Sequence, residues 1–237
     1  VSPDVTAQYI FSDSYILYAQ ATGGRRTNDF RRLETVSPYG QSEMQLDATY
    51  EQLNAALGFK TSPVTGLWFN LYGGYQDLKN NGVSSYFVDT NNQSYLQLFQ
   101  RNMHNIYAGA EVSYSYKDII SFSASGVYRD WKVAKVEEDN GDWLLAYMPS
   151  FEANIHADIR PISSVLISFG YQHITREKIG NERVDPVGNL YLGGSYEVFK
   201  GISIYARVNN LLNKDYQYYW GYPTEGINFV GGVSFRF

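Results

Sequence analysis

The chain contains no cysteine, which excludes a disulfide framework, thiolate metal sites and thiol catalysis. It also lacks any apolar run near the roughly 18 residues that a helical membrane span needs. Mean hydropathy is −0.34, so a helical membrane protein is excluded, whereas a strand-built one, in which only every second residue must be apolar, is not. Positive charge is also scarce: 19 basic residues stand against 24 acidic ones, for a net charge of −5. That balance gives no support to nucleic-acid binding. Neither a G-x-S-x-G nor a Walker motif occurs, so the common signatures of a hydrolase or nucleotide-binding enzyme are missing. The first residues, Val1 to Asp4, have neither a basic start nor an apolar stretch, so any targeting segment is expected to have been removed or to lie outside this piece.

Aromatic residues are abundant. They make up 16% of the 237 residues, with 22 Tyr, 13 Phe and 4 Trp. Excess Tyr suits rings that sit half in an apolar layer and half in water. The apolar residues recur with period two, the period at which strand side chains change face. Val5, Ala7, Tyr9 and Phe11 share one side, as do Tyr15, Leu17 and Ala19. Leu46, Ala48 and Tyr50 fall on even numbers but Leu53, Ala55, Leu57 and Phe59 on odd ones, which predicts a bulge of one residue near Glu51-Gln52. Further alternating stretches follow at Leu67–Tyr75, Ile106–Tyr116, Ile120–Tyr128, Val165–Tyr171, Leu190–Val198, Ile202–Val208 and Ile227–Phe237.

The clearest stretch is Ser150 to Arg160. Phe151, Ala153, Ile155, Ala157 and Ile159 face one way; Glu152, Asn154, His156, Asp158 and Arg160 face the other. Burying that many ionisable groups in a soluble core would cost several kcal/mol each, on the order of an unpaired buried charge. A water-filled interior removes most of the cost, so Glu152, Asn154, His156, Asp158 and Arg160 are read as lumen-facing and their partners as lipid-facing. Short polar turns near Ser12, Pro63, Lys117, Pro161 and Lys200 alternate with long loops at Arg25–Gln45, Lys79–Gln100, Glu137–Asp142, Glu177–Pro186 and Asn209–Gly226. That asymmetry belongs to outer-membrane barrels. The fold class expected is all-β, a transmembrane antiparallel β-barrel with about eleven strands of the ~9–11 residues that a tilted span requires.

Asn209-Asn210-Leu211-Leu212-Asn213-Lys214-Asp215-Tyr216, then Gly221-Tyr222-Pro223, then Gly232-Val233-Ser234-Phe235-Arg236-Phe237, resembles the closing signature of TonB-dependent outer-membrane receptors of the Bacteroidetes type. Tyr50-Glu51-Gln52-Leu53 with Gly58-Phe59-Lys60 is similar to a characteristic strand of that family. The resemblance covers residues 1–237 as one unit, the C-terminal part of a barrel of twenty-two strands, with the plug domain absent from this piece. One position departs: Val230 stands two before Gly232, where the family usually has a polar residue.

The resemblance implies uptake of a scarce nutrient (siderophore, vitamin or glycan) across the outer membrane of a Gram-negative bacterium. Implied partners are outer-membrane lipid, the small-molecule or glycan substrate, and the N-terminal barrel half and plug, or a second chain completing the barrel. TonB would act through the missing part. No cofactor, metal or catalytic residue is expected. Alternatives are a small self-contained pore and a structural or partner-binding barrel; an outer-membrane hydrolase built on His156 with Glu152 and Asp158 is a further rival. Tyr216, Tyr218, Tyr219, Trp220 and Tyr222 form an aromatic cluster that either binds ligand at the extracellular mouth or belongs to an interfacial girdle. Glu137-Glu138-Asp139-Asn140-Gly141-Asp142 reads as a solvated turn rather than a calcium loop, since it lacks the twelve-residue motif spacing. Arg25, Arg26, Arg31 and Arg32 are read as scattered loop charges, with lipopolysaccharide phosphates or an anionic ligand as the alternative partner.

Overall fold

The computed structural model describes residues 2–39, 46–88, 90–178, 184–219 and 221–236. Eleven strands form one antiparallel sheet in nearly sequential order. They are β1 (Asp4–Ser12), β2 (Tyr15–Arg26), β3 (Thr49–Val64), β4 (Leu67–Val88), β5 (Ser94–Tyr116), β6 (Ile120–Val133), β7 (Pro149–Ile162), β8 (Val165–Arg176), β9 (Val187–Phe199), β10 (Ile202–Asn209) and β13 (Asn228–Phe235). A separate small hairpin, β11 (Gln217–Tyr219) with β12 (Tyr222–Pro223), lies in the loop between β10 and β13. Short turns join β1–β2, β3–β4, β5–β6, β7–β8 and β9–β10, and there register follows from the turns. Among the described residues β1 and β13 pair on one side only, and the sheet is not closed.

The predicted bulge is present. Glu51 pairs with Leu78 and Leu53 with Asp77, leaving Gln52 unmatched. The extra residue turns Leu53, Ala55, Leu57 and Phe59 to the apolar side while Tyr50 keeps its place on the same side. The strand itself begins at Thr49, so Leu46 and Ala48 precede it.

Other loop boundaries differ from the sequence reading. Residues 79–100 are mostly strand: β4 and β5 run on as a long hairpin. A register shift between Leu78 and Asn81, with Asn80 at φ +53°, changes the parity there. That shift hides the alternation from a reading of period alone. β2 extends to Arg26, and a short helix, α1 (Phe30–Val36), lies within the supposed loop, capped by the Asp29 carboxylate accepting from the Arg32 N–H at 2.9 Å. The side assigned to Phe237 lies outside the described residues.

Apolar side chains across the sheet face outward from it. Leu57 is 67% exposed, Ile106 61% and Phe229 69%, and Phe151, Ile155 and Phe235 are exposed too. A water-soluble domain would bury such a face. Buried hydrophobic residues gather at the loop end instead, where Leu78, Val83 and Met103 close around Leu144 of a 3-10 helix (Asp142–Tyr147). Thus the soluble-type core clusters among the described residues, this one along the long ends of β4 and β5 and a smaller one of Ile174, Val187 and Tyr216, lie where the loops meet the sheet.

The opposite face is polar and concave. Residues from β4, β5, β7 and β8, well separated in the sheet order, line one cavity on it. Tyrosine rings lie flat along this face over cross-strand glycines: Tyr18 over Gly58, Tyr72 over Gly109, Tyr107 over Gly74, Tyr191 over Gly170 and Tyr205 over Gly232. A ring covering a strand glycine supplies the packing that the missing side chain cannot. A β-carbon on Gly170 would sit 2.1 Å from Cζ of Tyr191, and one on Gly58 2.3 Å from Cζ of Tyr18.

Candidate ligand site at the loop end

Long connections gather at one end of the sheet, and their order comes from a few polar anchors. Asn210 is 1% exposed with φ +49°, a conformation that asparagine tolerates better than most residues. Its side-chain amide donates to the carbonyls of Lys214 (2.9 Å) and Glu225 (3.1 Å), and its Oδ1 accepts from the Lys214 N–H (3.1 Å). Asn189 Oδ1 accepts from the Asn210 N–H at 3.0 Å. The asparagine of the closing signature therefore folds the loop that carries the aromatic cluster. Asn210→Ala is expected to lose these bonds and strain φ, loosening the loop by about 2–4 kcal/mol. Tryptic cleavage at Lys214 should speed up by at least about tenfold, whereas Asn210→Gly, which relieves only the strain, should fall between.

The acidic stretch on the neighbouring loop is a turn. Asp139 accepts from the Gly141 N–H (2.8 Å), Arg101 Nη2 (3.1 Å) and Trp143 Nε1 (3.1 Å). Gly141, at φ +69°, leads directly into the 3-10 helix. The Gly141 N–H first, and then Arg101, hold the Asp139 carboxyl below its ordinary value. Its oxygens are thus engaged by the protein, and among the described residues no three His, Asp or Glu side chains form a metal-binding group.

The aromatic cluster divides. Tyr216 is 4% exposed and packs on Ile174 and Val187; it is part of a small core. Tyr218 donates its hydroxyl to Gln172 Oε1 at 2.6 Å, and its carbonyl accepts from Arg176 Nη2 at 2.9 Å. Tyr219 and Tyr222 meet Tyr39 from the β2–β3 connection, with centroids 5.6 Å apart edge-on and 3.8 Å apart stacked. Trp220 lies outside the described residues. Burial raises the phenol pKa values of Tyr218 and Tyr219, so both are neutral hydrogen-bond donors at neutral pH.

Tyr218 and Tyr219 form one wall of a cavity of about 350 Å³. Val36 closes it from α1, Gly82 to Ser84 from β4, Met148 from the β6–β7 connection, Pro149 and Glu152 from β7, and Arg176 from β8. Sequence reading missed Arg176, Ser84 and Tyr39. Arg176 was within reach: it carries the polar parity of Gln172 and Ser168 at the loop end of β8.

Deeper on the polar face, Glu152 forms an ion pair with Arg129. His156 Nδ1 lies 2.8 Å from the Tyr191 hydroxyl and its Nε2 3.3 Å from Asp158, which also accepts from Ser168 Oγ at 2.6 Å. The serine thus serves the aspartate directly, so this set lacks the nucleophile–base–orienter order of a hydrolytic triad. Asn154 lines a small hollow with His156, and Arg160 lies at the short-turn end beside Ser163 and Ser164. A second polar group escaped the sequence reading. Glu51, 6% exposed, accepts from Arg26, Asn54 and Gln76. Gln76 in turn accepts from Asn105.

No protein-family model matches the sequence, and no curated protein does either. Solved structures match well. The chain aligns over 100% of its length with 39% of the copper transporter OprC, at 18% identity and a TM-score of 0.66. It aligns over 98% with 34% of the ferric-catecholate import receptor Fiu from E. coli K12, at 12% identity and 0.66. The siderophore receptor PiuA from Acinetobacter baumannii matches over 97% of this chain and 35% of its own, at 14% identity and 0.66. The chain therefore spans only about two-fifths or less of the proteins it matches, and these are transport receptors rather than enzymes. At this identity the likeness is one of fold: the chain folds like a portion of the β-barrel of these outer-membrane receptors.

Proposed function

We propose that residues 1–237 are the C-terminal part of the barrel of a TonB-dependent receptor that imports a scarce nutrient across a Gram-negative outer membrane. The observation that carries this reading is the distribution of apolar surface. Leu57, Leu71, Ile106, Phe229 and their neighbours stand exposed along the sheet, while the buried hydrophobic cluster is confined to the loop end. Hydrocarbon around the sheet and water at its ends account for both facts. Glu152, Asn154, His156, Asp158 and Arg160 then face an aqueous lumen, and the long loops offer a binding surface outside the cell. The strands form a wall and carry out no bond chemistry.

Unpaired strand edges are untenable in lipid. We take β1 and β13 to be completed by further strands of the same receptor, with a plug inside the barrel through which TonB acts. The structural neighbours' names, which specify copper, ferric catecholate and siderophores, favour a metal chelate over a vitamin or glycan. Deleting the receptor gene from its native host should abolish growth on one limiting nutrient, and deleting the TonB system should reproduce that loss. The protein should fractionate with the outer membrane. Stable ion conductance by residues 1–237 alone in a planar bilayer would instead establish the self-contained pore.

A further inference from the structure

Building on that reading, we propose that the loop-end cavity takes an organic anion, an aromatic carboxylate or a ligand arm of that kind, with Arg176 as its counter-charge. The lining mixes apolar and aromatic side chains, Val36, Val83, Leu96, Met148, Tyr218 and Tyr219, with polar ones that include Thr35, Ser84 and Arg176. Such walls suit a flat ring that carries a polar or charged substituent. At about 350 Å³ the space lies at the small end of organic-ligand sites.

One cation is incompletely used. Arg176 Nη2 donates to the Tyr218 carbonyl, but Nη1 is shielded from water and has no acceptor among the described residues. A buried donor on a charged group left without a partner is costly, and an anionic oxygen is the partner that compensates it best. The other charged lining residue, Glu152, acts on Arg176 through its charge but makes its direct ion pair with Arg129, so the three groups together leave one net positive charge beside the cavity. Ser84, on the β4 side, contributes a second shielded polar atom without a partner: its Oγ is buried and unbonded among the described residues. For an anion in the cavity to reach Nη1, the guanidinium has to turn about its Tyr218 anchor.

The test uses the full-length receptor in detergent micelles and two probes of nearly equal shape, 4-hydroxybenzoate and its neutral amide, titrated by calorimetry. The acid is expected to bind at least about tenfold tighter than the amide, the discrimination that a charge-assisted hydrogen bond supports. Arg176→Met should bring the acid down to the amide's affinity, while Arg25→Met, near the end of β2 and away from the cavity lining, should leave the ratio unchanged. Heat-modified gel mobility reports whether each variant has folded. The wild-type ratio is decisive even if Arg176→Met fails to fold: equal affinities, or no saturable binding of the acid, overturn the proposal. A folded Arg176→Met that retains the preference overturns it too. If the ratio is one but TonB-dependent growth persists, only the anion assignment falls. If the ratio holds but no such growth dependence exists, the cavity stands and the uptake role falls.

Discussion

Replacing Gly170 with valine should destabilise the barrel by about 2–4 kcal/mol, measured as a shift in urea unfolding of the receptor from lipid vesicles. The reason is the ring laid over that glycine. A β-carbon at position 170 meets Tyr191 Cζ at 2.1 Å, so the ring has to swing away. Its hydroxyl then leaves His156, now 2.8 Å distant, at about 1 kcal/mol for a neutral bond. Arg207, whose guanidinium lies 3.7 Å from the ring centroid, loses a cation–π contact of about 0.5–2 kcal/mol. Lost ring packing against the strand makes up the remainder. Gly58→Val should act alike through Tyr18, whose hydroxyl donates to Asn70 Oδ1 at 3.1 Å beneath Lys60. Gly24→Val is the control, because a β-carbon there meets nothing within 4 Å. If the ring is the cause, adding Tyr191→Ser to Gly170→Val should cost much less than the two single changes summed. Equal losses at positions 24 and 170 would mean that strand propensity rather than the ring decides.

Much of this arrangement was legible in the chain because one rule, period-two alternation of apolar and polar residues, governs most of the sheet. The parity switch at Glu51-Gln52 even located a bulge. Legibility failed where that rule stops applying. Residues 79–88 and 94–100 remain strand, yet with a small core packed against them they keep no continuous exposed apolar row, and Asn80 resets their parity. The Tyr–Gly pairs were invisible for another reason. Each partner reads as ordinary by itself, and only cross-strand register sets Tyr191 opposite Gly170. Among the candidate ligand residues, nothing in a run of tyrosines says which ring turns inward. Tyr216 does so because Ile174 and Val187 lie beneath it, contributed by strands some thirty to forty positions earlier. Tyr39 joins Tyr222 across a still longer separation.

Arginine in place of Ile155 should stop the barrel from inserting stably, whereas arginine at Asn154, one residue away, should be nearly silent. Ile155 stands near the middle of β7, flanked across the ladder by Ala124 and Tyr171, with its side chain exposed on the apolar face. At the bilayer midplane a lipid-facing arginine costs about 2–4 kcal/mol, and toward either interface the cost falls to about 0–1. Ile162→Arg, at the short-turn end of the same strand, should therefore be tolerated far better than Ile155→Arg. Asn154 points to the opposite face beside His156, where a guanidinium would stay hydrated. Refolding yield into vesicles, read by gel mobility with and without heating, separates the three variants. A soluble protein wrapped around a dry centre has no hydrocarbon outside it, so an exposed Ile155→Arg would cost nothing there. Depth dependence along β7, together with near-silence on its polar side, is a pattern that only a membrane around the sheet can produce.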